Sequence, residues 1–143
     1  MAELAPNALY DSHDLSVTLE VSGVPFPGRI RHQWQGRSIY NLTHGIERAA
    51  KWDQDFMWAV GGHTHESGVV RSFNNGGKNG LACLVGSYKR HDSFAKMIGF
   101  PKPNTSTGVA ILFDSETGSM TGFDNLETAA KVMRHLERAG GSA

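Results

Sequence analysis

The stretch that most constrains this chain is Phe56-Met57-Trp58-Ala59-Val60-Gly61-Gly62-His63-Thr64-His65. A short apolar run rich in large side chains predicts a strand buried on both faces. The two glycines that end it let the backbone turn sharply and approach another group closely. His63 and His65 follow, one residue apart. In extended chain both rings leave on the same side, within reach of a common ion. Neutral imidazole is the commonest metal-binding side chain, and open α/β sheets place ligand chemistry at the C-terminal ends of their strands.

A length of 143 residues predicts one domain with room for a real core. The formal net charge is zero, so bulk electrostatics points to neither nucleic acid nor a membrane surface. The single cysteine, Cys83, excludes an internal disulfide and agrees with a reducing compartment. It sits in Leu81-Ala82-Cys83-Leu84-Val85, where a buried inert thiol is expected. No apolar run reaches membrane-spanning length and the N-terminus lacks a signal-peptide core, so the expected location is cytoplasmic, with no membrane partner.

In chain order, residues 1–14 read as an N-terminal arm and 15–140 as the folded domain. Leu15–Val21 alternates as a half-buried strand, with Leu15, Val17, Leu19 and Val21 inward. Ser22-Gly23, Pro25 and Pro27 predict a turn or an irregular crossing. Gly28–His32 is strand-like and ends on His32, and Gln33–Asn41 is a loop. Thr43–Lys51 has helical spacing in Ile46, Ala49 and Ala50, with Thr43 as a cap. With the strand Phe56–Val60 next, the order is that of a βαβ crossover, which gathers His32 and the His63/His65 pair at one sheet edge.

Gly68–Phe73 and Leu81–Tyr88 flank an Asn/Gly-rich turn and form a hairpin. Lys89–Thr107 is a long polar loop. Gly108–Phe113 and Ser119–Phe123 form a second hairpin about Asp114–Gly118. The last element is a helix with Asp124 and Glu127 as capping box and an apolar stripe of Leu126, Ala129, Ala130, Met133 and Leu136, ended by Gly140 and Gly141. His135, near its C-terminus, suits the helix dipole rather than a ligand role.

Gly62-His63-Thr64-His65 resembles the Gly-His-x-His block of the calcineurin-like metallophosphoesterases. The order of elements from Val17 to Leu136 is similar to the C-terminal half of that family, particularly its phage and bacterial type. Arg31-His32-Gln33-Trp34 and Asn41-Leu42-Thr43-His44-Gly45 also look like a block of the phage enzymes. The implied fold is α/β: a mixed sheet with β-hairpins and a C-terminal helix, like the C-terminal half of the αββα sandwich. The resemblance implies a hydrolase, in which His32, His63 and His65 are metal ligands. The family's middle histidine maps to His32 or His44, and His32 is preferred because it follows a strand. Lys89, Arg90 and His91 are either substrate phosphate contacts or an ordinary solvated basic loop.

The family's N-terminal blocks, Asp-x-His, Gly-Asp-x-x-Asp and Gly-Asn-His-Asp/Glu, have no counterpart here. Asp11-Ser12-His13 has the letters of the first, but it precedes a strand instead of ending one. A two-metal site needs a bridging carboxylate and ligands on both sides. The expectation is therefore a half-domain that hydrolyses a phosphate ester, a phosphodiester in the family's manner, only with a complementary N-terminal half-chain. The cofactor would be a divalent transition metal, Mn, Fe, Zn or Ni, two ions in a complete site. The competing expectation is a non-catalytic interaction or structural module, homo-oligomeric through an open sheet edge. A single-metal hydrolase using His32, His63 and His65 ranks third.

Overall fold

The computed structural model describes residues 13–36, 38–52, 55–63, 68–75, 77–86, 97 and 107–140. The N-terminal arm to Ser12 and the loop residues 87–96 and 98–106 lie outside them, as do His65, Lys89, Arg90 and His91. The described elements are β1 (Asp14–Val21), β2 (Val24–Arg31), α1 (His44–Trp52), β3 (Trp58–Gly61), β4 (Val69–Asn75), β5 (Lys78–Leu84), β6 (Ala110–Asp114), β7 (Ser119–Phe123) and α2 (Leu126–Gly140). Five strands form one mixed sheet in the order β1-β2-β3-β5-β4, and β6-β7 is a separate antiparallel pair. The general class is thus α/β with hairpins and a C-terminal helix. No described helix is long and apolar enough to cross a membrane.

The expected crossover is present. β2 and β3 are parallel, Gly28 opposite Trp58 through Arg31 opposite Gly61, with α1 between them in sequence. β3 also runs parallel to β5, which the sequence pattern did not reveal. The sheet is covered on both sides. Trp34, Ile46, Ala50 and Phe56 pack with Ala59, Ala82 and Leu84 on the α1 side. Phe26, Trp58, Leu81 and Cys83 form the opposite core, against Ile111 and Phe113 of β6 and Met120 of β7. Adjacent residues of β3 and β5 therefore face different layers, as the two-residue period of a strand requires. This explains a continuous rather than alternating apolar run.

Three sequence expectations change. Pro25 and Pro27 lie inside β2 rather than in an irregular crossing. Ser22 and Gly23 both have positive φ and make a two-residue hairpin turn. Ladder alternation from Val21–Val24 then turns the positions of Pro25 and Pro27 away from β1, on the side where β3 has not yet begun, so no ladder donor is lost. Leu19, expected inward, is exposed. The cap of α2 is Asn125, whose Oδ1 accepts from the Thr128 backbone N–H at 2.9 Å, while Glu127 pairs along the helix with Lys131. Of the α2 stripe only Ala129 is buried; Leu126, Met133 and Leu136 are nearly half exposed.

Candidate functional site

β2 and β3 end side by side, and the chain stays paired one step past the strands: the Gly62 N–H donates to the His32 carbonyl at 3.1 Å. Parallel neighbours in register deliver their next residues to one edge. There the His32 Nε2 and His63 Nδ1 atoms stand 3.1 Å apart, with the rings nearly perpendicular at 83°. Both side chains are exposed to solvent.

The turn falls on His63 itself. Its φ is +75°, in the left-handed region, which costs a non-glycine residue roughly 1–2 kcal/mol. Gly61 serves a different purpose. A Cβ there would stand 2.7 Å from Trp34 Cδ1, so its absence lets the indole lie flat on the strand end. Trp34 Nε1 donates to the Val60 carbonyl at 3.2 Å. This brace, a role that the sequence expectations do not give Trp34, ties the loop after His32 to the strand before His63. Its signal was available: a tryptophan two residues beyond a strand-end histidine.

Trp34 also faces two cations. The Arg29 guanidinium lies 5.9 Å from its ring and 5.8 Å from that of Phe56, and Arg31 lies 5.2 Å from Trp34. Asp14 at the start of β1 pairs with Arg29 and stands 3.7 Å from Arg31 Nε. The loop is thus clamped from below by stacked guanidinium groups.

α1 begins beside this edge. The Thr43 carbonyl accepts from the N–H groups of Ile46 and Glu47. Its hydroxyl donates to Glu47 Oε1 at 2.6 Å, and Asn41 Nδ2 donates to Glu47 Oε2 at 3.0 Å. Thr43 stands just before the helix, fully buried within this carboxylate-centred knot. His44 is exposed on the first turn and is not paired with either His32 or His63. A small cavity of about 30 Å³, bounded by Gln33, Trp34, Gly36, Gly45, Gly62 and His63, separates helix start from strand end. It has room for one or two waters.

Of the expected ligands, the structure therefore brings His32 and His63 together, and His65 lies outside the described residues. Among the described residues no group of three or more His, Cys, Asp or Glu side chains could hold a metal ion. A nitrogen separation of 3.1 Å fits an N–H···N hydrogen bond. It also fits two ligands on one cation, since bonds of about 2.0–2.1 Å would subtend about 95–100°. Cys83 takes no part; burial pushes its thiol up to about 12. Comparison with known protein families, characterised proteins and solved structures gives no significant match.

Proposed function

We propose that this chain is the C-terminal half of a calcineurin-like metallophosphoesterase, hydrolysing phosphate esters when a complementary N-terminal half completes the site. The observation that carries this reading is the His32–His63 pair, ring nitrogens 3.1 Å apart at the ends of neighbouring parallel strands. The Gly-His-x-His sequence of Gly62–His65 and the β2–α1–β3 order support it.

His32 and His63 would hold the cation from this side, with His65 as the third imidazole. When bound, a divalent transition metal supplies Lewis acidity and a hydroxide at neutral pH. The chain's own contribution is positional. The Trp34 brace and the turn at His63 hold the backbone that carries both rings, so less ordering remains to be done on binding. Lys89, Arg90 and His91 are assigned to the ester's phosphate.

The test is hydrolysis of bis(p-nitrophenyl) phosphate with Mn²⁺. The chain alone is expected to be inactive. Activity should appear on adding a polypeptide bearing the Asp-x-His, Gly-Asp-x-x-Asp and Gly-Asn-His-Asp/Glu blocks, and His63→Ala should abolish it. No activity in any such mixture would sink the reading. A second reading, a non-catalytic module that pairs with other chains, is favoured by the α2 stripe, whose Leu126, Met133 and Leu136 remain nearly half exposed.

A further inference from the structure

The zero net charge of this chain conceals a local asymmetry on α1. Its inner face, Gly45, Ile46 and Ala50, is buried in the core. Its outer face carries His44, Arg48, Lys51 and Trp52, all exposed and within one arc of a 3.6-residue helix. The single acidic residue of the helix is withdrawn, because both Glu47 oxygens accept from Thr43 and Asn41. Asp55, beyond the helix, stands 3.9 Å from Arg29.

Aromatic side chains flank these cations. Tyr40, at the turn leading into α1, is 88% exposed, and Trp52, at its last position, is 81% exposed. The other two tryptophans are buried and donate their indole N–H groups to the Val60 and Phe26 carbonyls. Of the three tryptophans, Trp52 offers an exposed ring beside the exposed cations Arg48 and Lys51. Exposed cations flanked by exposed aromatic rings suit a single-stranded nucleic acid: cations meet the phosphates and rings stack on the bases.

We propose that the outer face of α1, from Tyr40 to Trp52, binds single-stranded nucleic acid, Arg48 and Lys51 contacting its phosphates and Tyr40 and Trp52 stacking on its bases. The strip is continuous with the histidine edge. A Cβ on Gly36 would stand 3.3 Å from Arg48 Cδ and 3.5 Å from His44 Cδ2, and Gly36 lines the same cavity as His63. Assigning the bound strand as the substrate of that edge rests on the phosphoesterase reading; the binding surface does not. Its cations and Trp52 are set by α1, and Tyr40 by the turn that leads into it.

The experiment is fluorescence anisotropy of a labelled single-stranded oligonucleotide titrated with the full chain in EDTA at low salt. Saturable binding is expected, with a slope of log Kobs against log salt of about −1.4 for two phosphates. Arg48→Glu/Lys51→Glu should weaken it at least tenfold, and Trp52→Ala about tenfold by loss of stacking. Lys131→Glu/Arg134→Glu on α2, an equal change in net charge, should leave it unchanged. No binding by the wild type overturns the proposal, as does equal weakening by both charge reversals. So does binding to phosphatidylserine vesicles without binding to the oligonucleotide. His63→Ala should retain oligonucleotide binding while losing any hydrolysis by the completed site, which separates failure of this proposal from failure of the catalytic one.

Discussion

The indole of Trp58 occupies the space that a side chain on Gly28 would need. A Cβ at Gly28 would stand 2.0 Å from Trp58 Cε2 and 2.3 Å from Cζ2. The two residues are register partners on β2 and β3, so the absence of one side chain admits a tryptophan into the core. The Trp58 ring is further fixed by its bond to the Phe26 carbonyl at 3.0 Å and by an edge contact with Phe113. Gly28→Ala is expected to lower stability by about 3 kcal/mol, the upper part of the range for overpacking. Urea unfolding measures it, and a loss below 0.5 kcal/mol would show that the ring moves aside freely.

Left-handed backbone at His63 predicts an inversion of the usual substitution order. His63→Gly should be more stable than His63→Ala by about 1 kcal/mol, because glycine adopts φ +75° without penalty. Thermal melts of the two variants compare them directly. Equal stability would mean that the turn relaxes once the imidazole is gone.

Metal content tests the histidine pair without any assay of activity. The isolated chain should hold less than one equivalent of Zn²⁺, Ni²⁺ or Mn²⁺, because a two-metal site lacks its bridging carboxylate and the ligands of the other side. His63→Ala/His65→Ala should hold none above background. Equal content in both proteins by elemental analysis would remove the strand edge as a binding site.

At the β6–β7 turn, Asp114 accepts from the backbone N–H groups of Glu116 and Thr117 and from the Thr117 hydroxyl. These bonds hold its carboxyl below the usual carboxylate range. A depressed native pKa contributes stability above the unfolded value near about 4, lost as pH falls through the native one. Asp114→Ala should therefore be less stable than wild type at pH 7, and the gap should narrow towards pH 2. A gap constant with pH would assign the effect to packing.

Cys83 is fully buried and its thiol is raised to about 12, so almost no thiolate exists at neutral pH. Native protein should react with a disulfide reagent only on the timescale of unfolding, and at once in guanidinium. Rapid reaction in native buffer would show that β5 opens.

Element types were legible wherever burial followed a local period. The β4–β5 and β6–β7 hairpins announced themselves through Asn74 to Gly80 and Asp114 to Gly118, where turn chemistry is a property of adjacent residues. The prolines of β2 misled because their tolerance depends on which side β3 begins, a fact held some thirty positions away. Asp124 and Asn125 are both competent caps by residue type, and composition does not choose between them. Leu19 alternates correctly, yet among the described residues no layer buries it. At the site, the meeting of His32 with His63 followed from a crossover the pattern did show. The Trp34 brace had one local signal, a tryptophan two residues past a strand-end histidine, whereas the left-handed turn at His63 is a tertiary accommodation with none.

β3 has no neighbour nearby in sequence. Both of its partners are parallel strands, reached only across α1 on one side and the β4–β5 hairpin on the other. The flanking hairpins can each close cheaply as local loops, whereas β3 must wait for two long closures. In kinetic terms Trp58–Gly61 is the seam sewn last, so conservative truncations there should speed unfolding more than they slow folding. The imidazole edge then exists only in molecules that have completed the whole sheet: a partly folded chain carries the histidines but cannot present them together.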